Sequence, residues 1–515
     1  MNGADALCDT LLSGGVDVCF ANPGTSEMHF VAALDRKPKM RCILGLFEGV
    51  VTGAADGYAR MSDKPAATLL HLGPGLANGL ANIHNAKRAC TPMVNIVGEH
   101  ATYHLQYDAP LTTDIEMLAR PMSHWVRTTL HPDQVSRDAA AAIVEANTAP
   151  GRIATLILPA DVAWNETTGP IVKVAPAPPR PSVNRDRLRE AAAKLRNGKR
   201  TVLLLSGLAL RANALSVADR IAQATGARLL AQQSNGRIER GAGRVAIDRV
   251  PYVVDRALKA LCDEQQMILI GARAPVGFFA YPGKPSVQTP PDCDIIPLAG
   301  IADDLLGALE WLADEVGAPA APRWEALKLP ELPCGTLTGD KAMATVAALL
   351  PENAIVIDES ISAGRNSFHF TRNAAPHDYL QLTGGAIGIG LPMAAGAAVA
   401  CPDRRVVSLQ ADGSAMYTIQ ALWMQARENL DVVTVLFANR AYSSLHDELR
   451  GVGAGEAGRN ARRMLDINQP ELGFAKLAAG MGVESCQVNN CEDLAIALRA
   501  GLSRRGPYLV EAVVA

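Results

Sequence analysis

Asp412 lies in the run Gln410-Ala411-Asp412-Gly413-Ser414, and Asn439 in the run Phe437-Ala438-Asn439-Arg440-Ala441-Tyr442. Together they offer a carboxylate and a carboxamide. A hard cation such as Mg²⁺ takes oxygen ligands, one or two from the protein and the rest from phosphates and water. Asp412 and the amide oxygen of Asn439 therefore suit a magnesium diphosphate. Gly413 and Ser414 are expected to open a helix, where unpaired N–H groups and the helix dipole favour an anion. The same residues also suit plainer roles, since Asp-Gly is a common strand-end turn and Asn a common cap.

The elements that must position these groups can be read locally. Residues 405–409 and 431–437 are short, β-branched apolar runs that end at polar residues, the pattern of buried strands. Between them, residues 415–429 place Ile419, Leu422, Trp423 and Ala426 at helical spacing without Gly or Pro. The unit is strand, helix, strand. Its right-handed crossover makes the strands parallel and brings Asp412 and Asn439 to one carboxyl edge. Residues 67–70 lead into His71, a Gly-rich turn, a helix and the strand 93–97, so the beginning of the chain repeats this plan. Residues 383–392 are Gly-rich, which permits close backbone approach to a ligand or simply joins a strand to a helix.

The chain has 515 residues, enough for about three domains. A Pro-rich connector at 171–183 separates a first domain, 1–170, from a middle α/β segment, 184–318. A second connector, 319–339, precedes the last domain, 340–515. The formal net charge is −3, with no basic block, which argues against nucleic acid and membrane surfaces as partners and favours a small-molecule substrate. Asp5, Asp9 and Asp17 interrupt the apolar residues of the N-terminus, so no signal peptide is expected and the reading is cytoplasmic. Apolar runs such as 394–400 are too short to span a bilayer. The ten cysteines form no CxxC pair, so neither a zinc site nor a disulfide framework is indicated.

Asp-Gly-Ser at 412–414, followed by Asn439 at a strand end, resembles the signature of the thiamine diphosphate-dependent 2-oxo acid decarboxylase and acetolactate synthase-like family. Ala411 and Ala438 stand where that signature has Gly and Asn. Upstream, Asn22-Pro23-Gly24-Thr25-Ser26-Glu27, the segment 46–60 containing Glu48, and the segment 71–78 beginning at His71 resemble the family's pyrimidine-binding domain, in the family's order. The resemblance implies an α/β fold of three doubly wound open-sheet domains: pyrimidine-binding, central and diphosphate-binding.

It also implies site roles. Asp412, the Asn439 amide and the Ala441 carbonyl would hold Mg²⁺. Glu48 would face the pyrimidine ring of thiamine diphosphate from a mostly apolar pocket, with Asn22, Pro23, Gly24 and Asn78 around it. The Gly385 carbonyl would accept from the ring amino group and Ile387 would bend the cofactor, while Ser362, Gly413, Ser414 and Tyr442 would surround the diphosphate. His71 and Thr25 match proton-transfer and substrate-gripping positions of benzoylformate decarboxylases, whose second catalytic histidine is absent from 276–281. Leu111, Phe279, Ser444 and Glu448 are the expected substrate pocket.

The implied activity is non-oxidative decarboxylation of a 2-oxo acid, with carboligation as a further outcome. An acetolactate synthase-type carboligase and a non-catalytic cofactor-binding paralogue are the alternatives. FAD is not expected, a homodimer is the expected minimal active unit, and many relatives are homotetramers.

Overall fold

The computed structural model describes residues 1–515 and contains three open sheets. The first holds six parallel strands in the order Arg41–Leu44, Val18–Asn22, Ala66–Leu70, Met93–Glu99, Ile153–Pro159, Trp125–Thr128. The middle sheet runs Asp248–Arg249, Arg228–Ala231, Thr201–Leu205, Gln266–Ile270, Asp294–Ala299, also parallel. The last runs Glu484–Val488, Tyr508–Val513, Val432–Ala438, Val406–Ala411, Ala354–Glu359, His377–Gln381, followed at its edge by Ile238–Arg240. The central strands Met93–Glu99, Val406–Ala411 and Val432–Ala438 are buried along their whole length, as strands covered on both faces should be.

Numbered by appearance within each domain, the first sheet reads 2-1-3-4-6-5. Counted from Ala354–Glu359, the last reads 5-6-4-3-1-2, the same order from the other edge. The repeated strand, turn, helix, strand plan is thus a repeated topology. In both domains the second strand leads to a helix, Glu48–Ser62 in one and Gly390–Ala400 in the other, and these two helices pack together. A Cβ on Gly57 would overlap the Met393 carbonyl, and one on Gly396 would overlap that of Ala54, so glycine is what lets the helices approach. The apolar core is continuous across them, from Val18 through Leu391 to Leu509.

Three local expectations change. The strands are Val406–Ala411 and Val432–Ala438, so Gln410 and Ala411 belong to the strand and the turn begins at Asp412. The helix expected over 415–429 is two short pieces, Asp412–Ala415 and Ala421–Arg427. Thr418 between them is buried and its Oγ1 donates to the Gly388 carbonyl at 2.7 Å, a tertiary bond that overrides helical periodicity. The middle segment, finally, contributes Ile238–Arg240 antiparallel to His377–Gln381. Arg240 anchors that crossing, its guanidinium 3.5 Å from the centre of the Phe368 ring.

No helix or strand lies between Trp164 and Arg185, or between Glu315 and Gly339. No helix is long and apolar enough to cross a membrane.

Candidate active site

At the carboxyl edge of the last sheet, Asp412 is buried at 3 % exposure. Its Oδ1 accepts from Gly413 N at 2.7 Å and its Oδ2 from Arg440 N at 2.6 Å. Burial raises its pKa, and these backbone donors oppose the rise. Asn439 Nδ2 donates to Ser362 Oγ at 3.3 Å, and its Oδ1 accepts from Ala441 N at 3.2 Å. Asp412, Asn439, Ala441 and Ser362 therefore converge. The Tyr442 ring covers Gly413, where a Cβ would lie 2.5 Å from Cε1. Ser414 turns inward: its Oγ accepts from Gln410 Nε2 at 2.8 Å and donates to the Ala411 carbonyl at 3.2 Å.

The neighbouring Gly-rich loop is held by two anchors. One is Glu359, buried at 1 % exposure, whose carboxylate accepts from the N–H groups of Gly388, Ile389 and Gly390 and from Gln410 Nε2, at 2.7 to 3.1 Å. Burial raises its pKa. The other is Asn85, which bonds the backbone of Gly384 and Ala386. Ile387 lies between these anchors. Gly385 has φ +81°, and a Cβ there would lie 2.6 Å from Phe278 Cζ. Phe278, more than Phe279, thus faces the loop, while Phe279 packs edge-on against Phe278. Glu448 accepts from Tyr281 OH at 2.7 Å. His446 pairs with Asp466 at 2.8 Å, and Ser444 sits half-buried in the same helix, Ser443–Gly451.

At the carboxyl edge of the first sheet, Glu48 begins the helix Glu48–Ser62 at 7 % exposure. Its surroundings are more polar than expected. Asn22 Nδ2 donates to its Oε1 and Asn78 Nδ2 to its Oε2, each at 3.0 Å. His71 Nδ1 lies 2.8 Å from Oε2 of the buried Glu27, which also accepts from Gly24 N at 2.7 Å. A Cβ on Gly75 would lie 3.3 Å from Glu48 Oε1 and 3.4 Å from His71 Cβ, so both side chains flank one glycine. Thr25 is exposed beside Gly24, Pro23 is half-buried between Asn22 and Gly24, and Leu111 is 38 % exposed.

Backbone strain marks the same turns. Leu72 follows His71 at φ +51°, Ile361 precedes Ser362 at φ +49°, and Arg440 follows Asn439 at φ +59°. Left-handed conformations at non-glycine residues cost about 1–3 kcal/mol each and cluster where function requires a fixed geometry. Glu27 and Glu359 lie in segments that resemble the family but carry no role legible from sequence, and Phe278 is legible there only as one of the aromatic cluster with Phe279 and Tyr281. A strand-end glutamate carries no mark of its burial, and the only available hint for Glu27 was its spacing of three after Gly24.

The two edges fit the halves of thiamine diphosphate. Gly385 leaves exposed backbone where a side chain would collide with Phe278, and Glu48 offers a fixed carboxylate. No three His, Cys, Asp or Glu side chains are grouped to hold a metal alone. One carboxylate, one carboxamide and a backbone carbonyl suit Mg²⁺ if phosphate and water complete its shell.

Comparison with known proteins agrees. Residues 1–125 match the thiamine pyrophosphate enzyme N-terminal TPP binding domain, and residues 362–512 match the C-terminal TPP binding domain. The chain is 52% identical to a Mycobacterium tuberculosis protein named "Putative acetolactate synthase large subunit IlvX", covering 100% of this chain and 99% of that one. It is 29% identical to benzoylformate decarboxylase of Pseudomonas aeruginosa, covering 98% and 97%. A thiamine diphosphate-dependent 4-hydroxybenzoylformate decarboxylase from Rhodococcus jostii RHA1 shares the fold, with TM-score 0.85 at 24% identity over 100% and 99% of the two chains. On its two matched domains and its full-length relative, the chain belongs to the thiamine pyrophosphate enzyme family.

Proposed function

We propose that this protein decarboxylates a 2-oxo acid, with thiamine diphosphate held through Mg²⁺. The observation that carries the reading is the fixed Glu48 carboxylate, placed beside His71 at one sheet edge, with the Asp412 and Asn439 oxygens at the equivalent edge of the last sheet. Bound there, thiamine diphosphate supplies an electron sink for carbon–carbon cleavage.

The chain's own residues position and protonate. Glu48 would exchange a proton with the pyrimidine ring, its carboxylate held in place by Asn22 and Asn78. Asp412, Asn439 and the Ala441 carbonyl would hold Mg²⁺, and Gly385 and Ile387 would set the cofactor's position. Thr25 and His71 meet the substrate. Phe278 gives the Gly385 loop an apolar wall, favouring a 2-oxo acid with an apolar or aromatic substituent.

The active unit is a homodimer, with a homotetramer as its natural doubling. Glu48 contacts the start of the helix Leu72–Ala89, at Asn78, whereas the Gly385 loop contacts its end, at His84 and Asn85. At 1.5 Å rise per residue these contacts lie roughly 9–10 Å apart along the helix. Both halves would serve one cofactor by meeting across two chains. Ten free thiols suit a reducing compartment such as the cytoplasm.

A second reading, an acetolactate synthase-type carboligase joining two 2-oxo acids, is favoured by the name of the 52%-identical relative. Both readings are tested by incubating protein, thiamine diphosphate and Mg²⁺ with benzoylformate, pyruvate and branched 2-oxo acids. CO₂ release with the matching free aldehyde is expected. Acetohydroxy acid without free aldehyde would favour the second reading, and bound cofactor without CO₂ from any substrate would contradict both.

A further inference from the structure

We infer that Glu27 is a positioning residue for His71, holding the Nδ1 proton so that Nε2 alone exchanges protons with the substrate. The inference rests on the reading of His71 as a proton-transfer group, but its physical content is independent of turnover. Glu27 is 3 % exposed, and its Oε2 meets His71 Nδ1 at 2.8 Å and Gly24 N at 2.7 Å. The site is shaped for this pair. A Cβ on Gly24 would overlap the His71 imidazole, and a Cβ on Gly98 would overlap Glu27 Oε1.

Oε1 is itself buried and without a partner. A carboxylate kept in such a place needs a compensating interaction, and the His71 ring and the Gly24 N–H supply it. Burial raises the Glu27 pKa against the pull of these two donors. Glu48, across Gly75, and His100 are the other ionisable groups near the His71 ring.

Which ring nitrogen carries the proton is set by the bond the other nitrogen makes. With Glu27 accepting from Nδ1–H, Nε2 takes a proton from water and gives it to the substrate carbon that has lost carboxylate. The Nδ1 proton stays with Glu27 throughout. Without Glu27, Nδ1 has no fixed acceptor, the tautomers mix and the ring can turn.

The test uses the full-length protein labelled with ¹⁵N at histidine, without cofactor, as wild type, Glu27→Ala, Glu27→Gln, His71→Ala and the Glu27→Ala/His71→Ala pair. In wild type the His71 signals should show Nδ1 protonated. Glu27→Ala should move them toward the Nε2–H tautomer, while Glu27→Gln, which retains an acceptor oxygen, should move them less. With cofactor and substrate, Glu27→Ala should lower kcat by ~10–100-fold, the range found when an orienting partner is removed, with KM changed less than about threefold. In the His71→Ala background the same change should cost nothing further.

Unchanged His71 nitrogen signals in both Glu27→Ala and Glu27→Gln would overturn the inference, as would an undiminished Glu27→Ala effect when His71 is already alanine. If Glu27→Ala does not fold, Glu27→Gln and Glu27→Asp carry the nitrogen measurement. An altered His71 tautomer in a protein that turns over no 2-oxo acid would count against the proposed function and leave the pairing standing.

Discussion

The first and last domains share one strand order and present it to the site in opposite chemical dress. The third strand of the first ends at His71, and that of the last at Asp412. After the second strand, one domain places a glutamate at its helix start, Glu48, and the other a run of glycines, Gly384 to Gly390. The first edge therefore presents titratable side chains, Glu48 and the paired Glu27 and His71. The last works mainly through backbone, with Glu359 supporting the loop from behind and Asp412 gripped by two N–H groups. A repeated topology supplies equivalent places, and local residues decide whether a place does acid–base chemistry or anchors an anion.

The sharpest break of this contrast is Glu48→Gln. Turnover should fall by ~10²–10⁴-fold, as for loss of a proton-transferring group, while cofactor retained after gel filtration stays near wild type. Asp412→Ala should do the reverse, with retained cofactor lost at any magnesium concentration that saturates wild type. Its effect on stability should also differ. Because burial raises the Asp412 pKa, folding favours the protonated form; that contribution is lost as pH rises through the raised value. Asp412→Asn should therefore melt no lower than wild type at pH 7 in the absence of metal, by calorimetry.

A smaller effect concerns the pocket wall. Phe278→Ala should change the ratio of kcat/KM for large over small 2-oxo acids by about tenfold, the lower end of what one methylene is worth in an apolar pocket. The smallest is confined to the last sheet. His377 begins its second strand fully buried, with its pKa lowered to about 3 by burial and by the nearby Arg240 and Arg244. The unfolded chain takes up this proton near pH 6.5 and the folded one does not, so stability present above pH 6.5 is lost as pH falls below it. The slope from this group is at most about 1.4 kcal/mol per pH unit. His377→Gln should flatten that part of the acid-stability curve measured in urea.

Much of this was legible because strands in parallel sheets end abruptly, so that Asp412, Asn439 and His71 stand out where apolar runs stop. Their convergence depends on strand order, which local patterns do not encode. The broken helix at 416–420 escaped notice because Thr418 is held by Gly388, thirty residues away in the chain. The three-residue strand Ile238–Arg240 has no periodic signal at all; Arg240 stacking on Phe368 fixes it. Glu27 and Glu359 are ordinary glutamates until folding buries them. Phe278 gained its place over Phe279 only when its ring was found against Gly385.

The central claim is that Glu48 of one chain and Asp412 of another complete one cofactor site. Co-expressing Glu48→Gln and Asp412→Ala chains with different tags, and purifying through both tags, tests it directly. Each variant alone should be nearly inactive. A mixed dimer contains one site with both lesions and one with neither, so its specific activity should return to about half that of wild type. Doubly tagged oligomers with no more activity than the separate variants would contradict the claim.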